Sequence, residues 1–194
     1  LPLHRMFSHP YVQCVVVGTP ATQPRFVVES VNQDNEACAL VKLRTADSCL
    51  RANVKYEVID DGRVLRKSAR LINASPSPVR LLRVGLGAYH TDVQVSDGEI
   101  GFPVYADDEI FCSLDHPAGW AMGDHGAVRL RQYPGVMLQA GQSFVCMNTV
   151  IGVAEKGRAR EAFRAHLSKR MRRVARKRDH PYAILDFFGA WERE

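Results

Sequence analysis

Along residues 1–150 the chain alternates between short β-rich runs and turn formers. VQCVVVG (12–18) and RFVVESV (25–31) are dense in β-branched and aromatic residues and are separated by TPATQP, so each predicts a strand. In NVKYEVID (53–60), Val54, Tyr56 and Val58 point one way while Asn53, Lys55 and Glu57 point the other, the period of a half-buried strand. Asp60-Asp61-Gly62 follows as a hairpin turn, because glycine accepts positive φ. RVLRKSARLIN (63–73) then returns with Leu65, Ala69 and Leu71 on one face and Lys67 as the exception. ASPSP (74–78) leads into VRLLRVGLG (79–87), and EIFCSL (109–114), AVRLRQY (127–133), VML (136–138) and SFVCMNTVIGVA (143–154) predict further strands. Turn formers recur at Asp97-Gly98, Asp107-Asp108, Gly123-Asp124, Pro134-Gly135 and Gly141. Many short strands at this spacing, with no βαβ alternation, predict an antiparallel sandwich or barrel and argue against a parallel sheet.

The period changes after Gly152. Ala159, Ala162, Phe163, Leu167, Met171 and Val174 recur at three- and four-residue intervals, predicting an amphipathic helix within 156–178 that Asp179-His180-Pro181 stops. YAILDFFGAWERE closes the chain with a fresh apolar run expected to pair with something. With 194 residues, 46% of them apolar and 24% charged, the composition fits one well-buried domain and excludes a disordered chain. The net charge of +5 is local: residues 155–178 hold 11 of the 26 Lys/Arg and 2 of the 21 Asp/Glu, leaving 15 basic against 19 acidic groups elsewhere. The expected organisation is therefore a β domain at 1–154, a basic helix at 155–178 and a further segment at 179–194. No apolar run approaches the roughly 20 residues of a membrane-spanning helix. The opening LPLHRMFSHP lacks the pattern of a signal peptide, and the compartment stays open. Five scattered cysteines (Cys14, Cys38, Cys49, Cys112, Cys146) form no C-x-x-C pair, so reduced core thiols are expected rather than zinc or a disulfide framework.

The familiar catalytic signatures (G-x-S-x-G, H-E-x-x-H, a Walker loop, G-x-G-x-x-G) are missing. The stretch FCSLDHPAGWAMGDHGAVRLRQYPG (111–135) ends a strand in Asp115-His116-Pro117 and runs into a loop with Trp120, Asp124 and His125. An indole beside carboxylates and imidazoles suits a sugar, whose apolar ring face stacks while its hydroxyls need hydrogen-bond partners. The alternative is that Trp120 covers the open end of the sandwich and the Asp/His pairs cap turns. His116 and His125 match no common metal spacing, and no metal or other cofactor is expected. A second cluster, Tyr89-His90-Thr91-Asp92, follows strand 79–87, as a binding group or as an Asx-type turn. The basic helix reads either as a ridge for a polyanion or as a stripe packed on the sandwich with solvated arginines; without interleaved aromatics the structural reading is favoured over nucleic acid. Asn73-Ala-Ser75 fits the glycosylation triplet, but Pro76 follows directly.

The order of these features resembles a known family. YEVIDDGRVLRKSARLINASPSPVRLLRV is similar to the central hairpin of the N-terminal β-sandwich of the alpha-galactosidase group of glycoside hydrolases, which includes raffinose synthases. FCSLDHPAG resembles the family strand reading approximately F-x-x-x-E-H-P, with Asp115 where Glu is usual. LRQYPGVMLQAGQSFVCMNTVIGVAEKGRAREAFRAHL resembles the segment leading into the helix that links sandwich to catalytic (β/α)8 barrel, and DFFGAWE resembles the first barrel strand. The resemblance covers about residues 50–194. It implies a galactose-mutarotase-like antiparallel supersandwich with a C-terminal linker helix, and a barrel beginning within 179–194. It also implies that the two catalytic carboxylates lie on the barrel, outside this chain.

The expected function is a non-catalytic, carbohydrate-associated sandwich that supports its own catalytic barrel or a partner chain. It lends Asp115, His116, Trp120, Asp124, His125, Tyr89 and His90 to a sugar. Two alternatives stand beside it. One is a free-standing mutarotase- or epimerase-like enzyme with His90 or His116 as acid and Asp115 or Asp124 as base. The other is a polyanion-binding module acting through 156–178.

Overall fold

The computed structural model describes residues 13–17, 21–22, 24–124 and 126–170. Among these, fourteen strands precede one helix. The strands are β1 (Gln13–Val17), β2 (Ala21–Thr22), β3 (Phe26–Asn35), β4 (Cys38–Thr45), β5 (Leu50–Ile59), β6 (Val64–Asn73) and β7 (Val79–His90). They continue as β8 (Val104–Ala106), β9 (Ile110–Leu114), β10 (Trp120–Asp124), β11 (Ala127–Gln132), β12 (Val136–Leu138), β13 (Ser143–Val145) and β14 (Thr149–Val153), and helix α1 spans Ala159–Arg170. All pairings are antiparallel, so the expectation of a mainly β, antiparallel fold holds.

The strands form two sheets. One runs β10-β11-β7-β1-β2, with β12 continuing the edge of β7 that β11 leaves; the other runs β3-β4-β5-β6-β14-β9-β8, with β13 beside β6. The β5–β6 hairpin pairs Ile59 with Val64 around the Asp60-Asp61-Gly62 turn, as the alternation predicts. Its inward residues Ala52, Val54, Ala69 and Leu71 meet Leu81, Val84, Leu86, Val128 and Leu130 of the other sheet in one core. Burying this apolar surface is the main force holding the two layers together.

Lys67 does not escape this alternation. It faces inward with its hairpin neighbours, is 4% exposed, and its ammonium lies 5.7 Å from the centre of the Tyr56 ring. Desolvation lowers its pKa to about 8.

A smaller core explains why β9 is buried at every position. Ile110, Cys112 and Leu114 join the main core, while Phe111 turns to the opposite face and packs with Val64, Val150 and Phe163 of α1. The Phe111 and Phe163 rings meet edge-on, with centroids 5.3 Å apart. The helix therefore covers the outer face of β9 and β14.

Several expectations are corrected. Residues 120–124 form strand β10 rather than a loop, because their backbone pairs with β11 from Trp120–Arg131 to Asp124–Ala127. The run 143–154 is two strands: Cys146–Asn148 breaks away after β13, with the Met147 amide donating to Gln132 and the Asn148 carbonyl accepting from Asp115. Strands β4 and β8 are additions to the expected set, although Val41, Leu43 and Thr45 of β4 alternate with Lys42 and Arg44. The helix starts at Ala159, and the remainder of the expected 155–178 helix and all of 179–194 lie outside the described residues.

Candidate functional site

Two structural features converge at the end of β9. The first is the cradle of α1. Two hairpins of the eight-stranded sheet end in Asp-Asp turns whose aspartates both adopt positive φ: Asp60 (52°) and Asp61 (56°), and Asp107 (48°) and Asp108 (55°). Aspartate tolerates this left-handed region better than most residues with a Cβ, which lets the four-residue reversal at 60–63 and the three-residue reversal at 107–109 close. The second turn holds the start of the helix. The Asp108 carbonyl accepts the Ala159 N–H at 3.2 Å, and Lys156 Nζ lies 3.8 Å from Asp107. The first turn holds the later part. Asp60 Oδ2 meets His166 Nδ1 at 2.7 Å, while its other oxygen faces Arg170 at 3.4 Å and Lys169 at 3.8 Å.

His166 completes the link to β9. Its side chain is 1% exposed, and Nε2 faces Asp115 Oδ1 at 3.5 Å, the separation of an ion pair rather than of a short hydrogen bond. The histidine thus stands between two carboxylates from different strands. Its interaction with Asp115, and then with Asp60, holds its pKa above the ordinary 6.5 against the opposing effect of burial. Burial pushes Asp60 upward, but His166, Arg170 and Lys169 together outweigh it and leave the carboxyl below the usual 3.8. A groove of about 620 Å³ opens beside the clamp, lined by Asp60, Asp61 and Arg63 on the hairpin side, by Glu155 and Arg158 just before the helix, and by Glu161, His166 and Lys169 along it.

The second feature is the turn from β9 to β10, which carries three residues expected to face a sugar. Asp115 follows Leu114, His116 accepts the Ala118 N–H at Nδ1 (3.1 Å), and its carbonyl accepts the Gly119 N–H. With Nδ1 accepting, a neutral His116 carries its proton on Nε2. Trp120 is half-buried. Its ring meets Tyr133 edge-on at 5.5 Å, its backbone bridges Ile100, and Arg131 stands opposite it on β11. Tyr133 and Ile100 are about half exposed, at 50% and 47%. The result is a small, partly exposed aromatic ledge formed by Trp120 and Tyr133.

The other expected residues do not join it. Asp124 closes the far end of β10, four residues or ~13 Å from Trp120, and pairs with Arg129 at 3.2 Å. His90 is exposed and sits at this same far end, opposite Ala127. Tyr89 points into the core at 4% exposure, against Gly87, because irregularities in the pairing of β7 with β1 and β11 interrupt its alternation and bring Leu81, Val84, Leu86 and Tyr89 into one core. His125 lies outside the described residues.

Residues that sequence reasoning missed are His166, Asp60 and Tyr133. His166 lies three positions after Phe163 and seven after Ala159, on the buried stripe of the helix, and a histidine at that spacing was the available signal. In the described part of the basic segment several cations are engaged locally: Arg158 with Glu155 and Glu161, Arg160 over the Tyr105 ring at 4.8 Å, and Lys169 and Arg170 with Asp60. Among the described residues no group of three or more His, Cys, Asp and Glu could hold a metal ion. Burial pushes the Cys112 thiol up to about 12, so it cannot serve as a thiolate nucleophile near neutral pH.

No family model matches the sequence, and no curated protein matches it. Solved structures do match its fold. The GH36 alpha-galactosidase AgaA A355E D548N from Geobacillus stearothermophilus, in complex with raffinose, is 14% identical with a TM-score of 0.55, covering 78% of this chain and 31% of that one. The GH36 alpha-galactosidase AgaB from the same organism is 13% identical with a TM-score of 0.53, covering 78% and 30%. A polysaccharide lyase is 16% identical with a TM-score of 0.53, covering 77% and 26%. The chain has the antiparallel β-sandwich fold found in these GH36 enzymes. It spans about a third of the length of the solved alpha-galactosidase chains that it matches.

Proposed function

We propose that this chain is the non-catalytic, carbohydrate-associated β-sandwich of an alpha-galactosidase-type glycoside hydrolase, of the galactose-mutarotase-like supersandwich type. It supports a catalytic barrel and lends the ledge at Asp115, His116 and Trp120 to one rim of the sugar site. The observation that carries the reading is the fold match to GH36 alpha-galactosidases over 78% of the chain, one of them a raffinose complex. The docking of α1 supports it: gripped by both Asp-Asp turns and by its own small core, the helix leaves the sandwich in a defined direction, as a junction to a second unit requires. Tyr133 and Arg131 extend the sugar-facing ledge, and Tyr89 belongs to the core. Residues 155–178 act as the junction and 179–194 as the start of the barrel.

The test compares the full open reading frame with residues 1–194 in the hydrolysis of aryl α-galactosides. Hydrolysis by the full frame and none by residues 1–194 is expected. Turnover by residues 1–194 alone, or acceleration of galactose anomerisation by them, would overturn the non-catalytic reading.

A further inference from the structure

The Asp60–His166–Asp115 cluster joins three elements separated by long stretches of chain: the β5–β6 turn, α1 and the end of β9. Its two arms differ in a way that matters for protons. The Nδ1 arm is short, at 2.7 Å, and survives in a neutral imidazole whose remaining proton is on Nδ1, the tautomer that the closer carboxylate favours. The Nε2 arm is longer, at 3.5 Å, and attracts Asp115 only while Nε2 carries a proton. Once that proton leaves, a nitrogen lone pair faces a carboxylate oxygen inside a site where water is largely excluded, and the contact turns repulsive.

The surroundings concentrate this effect on His166. The charged groups in contact with the cluster are Lys169 and Arg170 on α1, both directed at Asp60 rather than at the ring, while Asp61 and Arg63 of the hairpin turn and the Glu155–Arg158–Glu161 group line the groove that His166 shares. The nearest aromatic neighbour, Phe111, is apolar, with ring centroids 6.0 Å apart, and Val150 of β14 adds only apolar surface to that core. The groove reaches both Asp60 and His166, so a proton can enter and leave although the ring is buried.

We propose that the Asp60–His166–Asp115 clamp is a proton-controlled latch: the doubly protonated imidazole ties α1 to the β9–β10 turn, and loss of the Nε2 proton frees Asp115 while leaving the Asp60 arm closed. The latch couples the position of the helix to the turn bearing His116 and Trp120. It rests on the geometry of the three residues and stands whether or not that turn binds a sugar.

NMR of the 194-residue chain tests this directly, by following the His166 imidazole and the amides of 115–120 and 159–170 from pH 5.5 to 9. The expected result is a His166 midpoint above 6.5, with the amides of 115–120 moving at the same midpoint and those of 159–170 moving less. Asp115→Asn keeps the fold, lowers the midpoint and abolishes the linked shifts in 115–120. A His166 midpoint at or below 6.5, amides of 115–120 that ignore it, or an Asp115→Asn chain that titrates like the parent would overturn the latch.

Discussion

Gly152 stands directly opposite Phe111 in the β14–β9 pairing, and the phenyl ring occupies the space that a Cβ at position 152 would need. Gly152 is thus what lets Phe111 lie flat under α1. Gly152→Ala must displace the ring, and with it the contact to Phe163. The expected cost is about 1–3 kcal/mol, the usual range for overpacking a core, read as a lower urea midpoint with an unchanged slope. A neutral result would mean that the helix does not lean on Phe111.

Lys67 yields the opposite sign. Its folded pKa of about 8 lies below the ordinary lysine value of 10.5, because burial penalises its charge. That penalty is full below pH 8 and fades as pH rises through 8 to 10.5, because the unfolded chain then holds more of the proton. Stability due to this group therefore increases with pH across that window. Lys67→Met is expected to stabilise the chain at pH 7 by up to about 3 kcal/mol, from the size of the shift, and to remove the rise between pH 8 and 10.5. Urea titrations of both chains at pH 7 and 10 measure it.

Asp60 and His166 bracket a stability plateau. Asp60 is depressed, so its contribution is present above 3.8 and is lost as pH falls through its lower folded value. His166 is raised, so its contribution is complete below 6.5 and is lost as pH rises through its higher folded value. Asp60→Asn keeps a side chain that tolerates positive φ and removes only the charge. It is expected to cost about 2 kcal/mol at pH 6, a partly buried pair being worth less than a fully buried one, and to flatten the acid limb of the melting profile.

Much of this architecture is legible in the residues. The β5–β6 hairpin alternates because one face lies on the core, and its turn carries the residues that left-handed backbone tolerates. Strands β9 and β14 read as plain apolar runs because both of their faces are covered, one by the opposite sheet and one by α1. Strand β10, WAMGD, escapes notice because glycine and aspartate are poor strand formers and its pairing with β11 supplies the order. The clamp is illegible for a different reason. Asp60 and His166 lie 106 positions apart, and each has an adequate local explanation, one as a turn former and one as a helix residue.

Asn73 supplies a fourth prediction. Although it begins a glycosylation triplet, it is fully buried: Nδ2 donates to the Ser77 and Leu138 carbonyls at 2.8 and 3.0 Å, and Oδ1 accepts the Ser75 amide and hydroxyl. Every hydrogen-bonding position of the amide is used. Asn73→Asp places a carboxylate against two carbonyls and is expected to cost about 2–3 kcal/mol. Intact mass after expression in a glycosylating host is expected to show no glycan on Asn73 of the folded chain.

The carbohydrate reading is tested most directly by titrating the 194-residue chain with raffinose while following the Trp120 indole N–H by NMR. The account predicts saturable shifts at Trp120, Tyr133 and His116 that vanish in Trp120→Ala, with the core signals of Tyr89 unmoved. Shifts absent at every concentration, or unchanged when Trp120 is replaced, would contradict a sugar-facing role for this ledge.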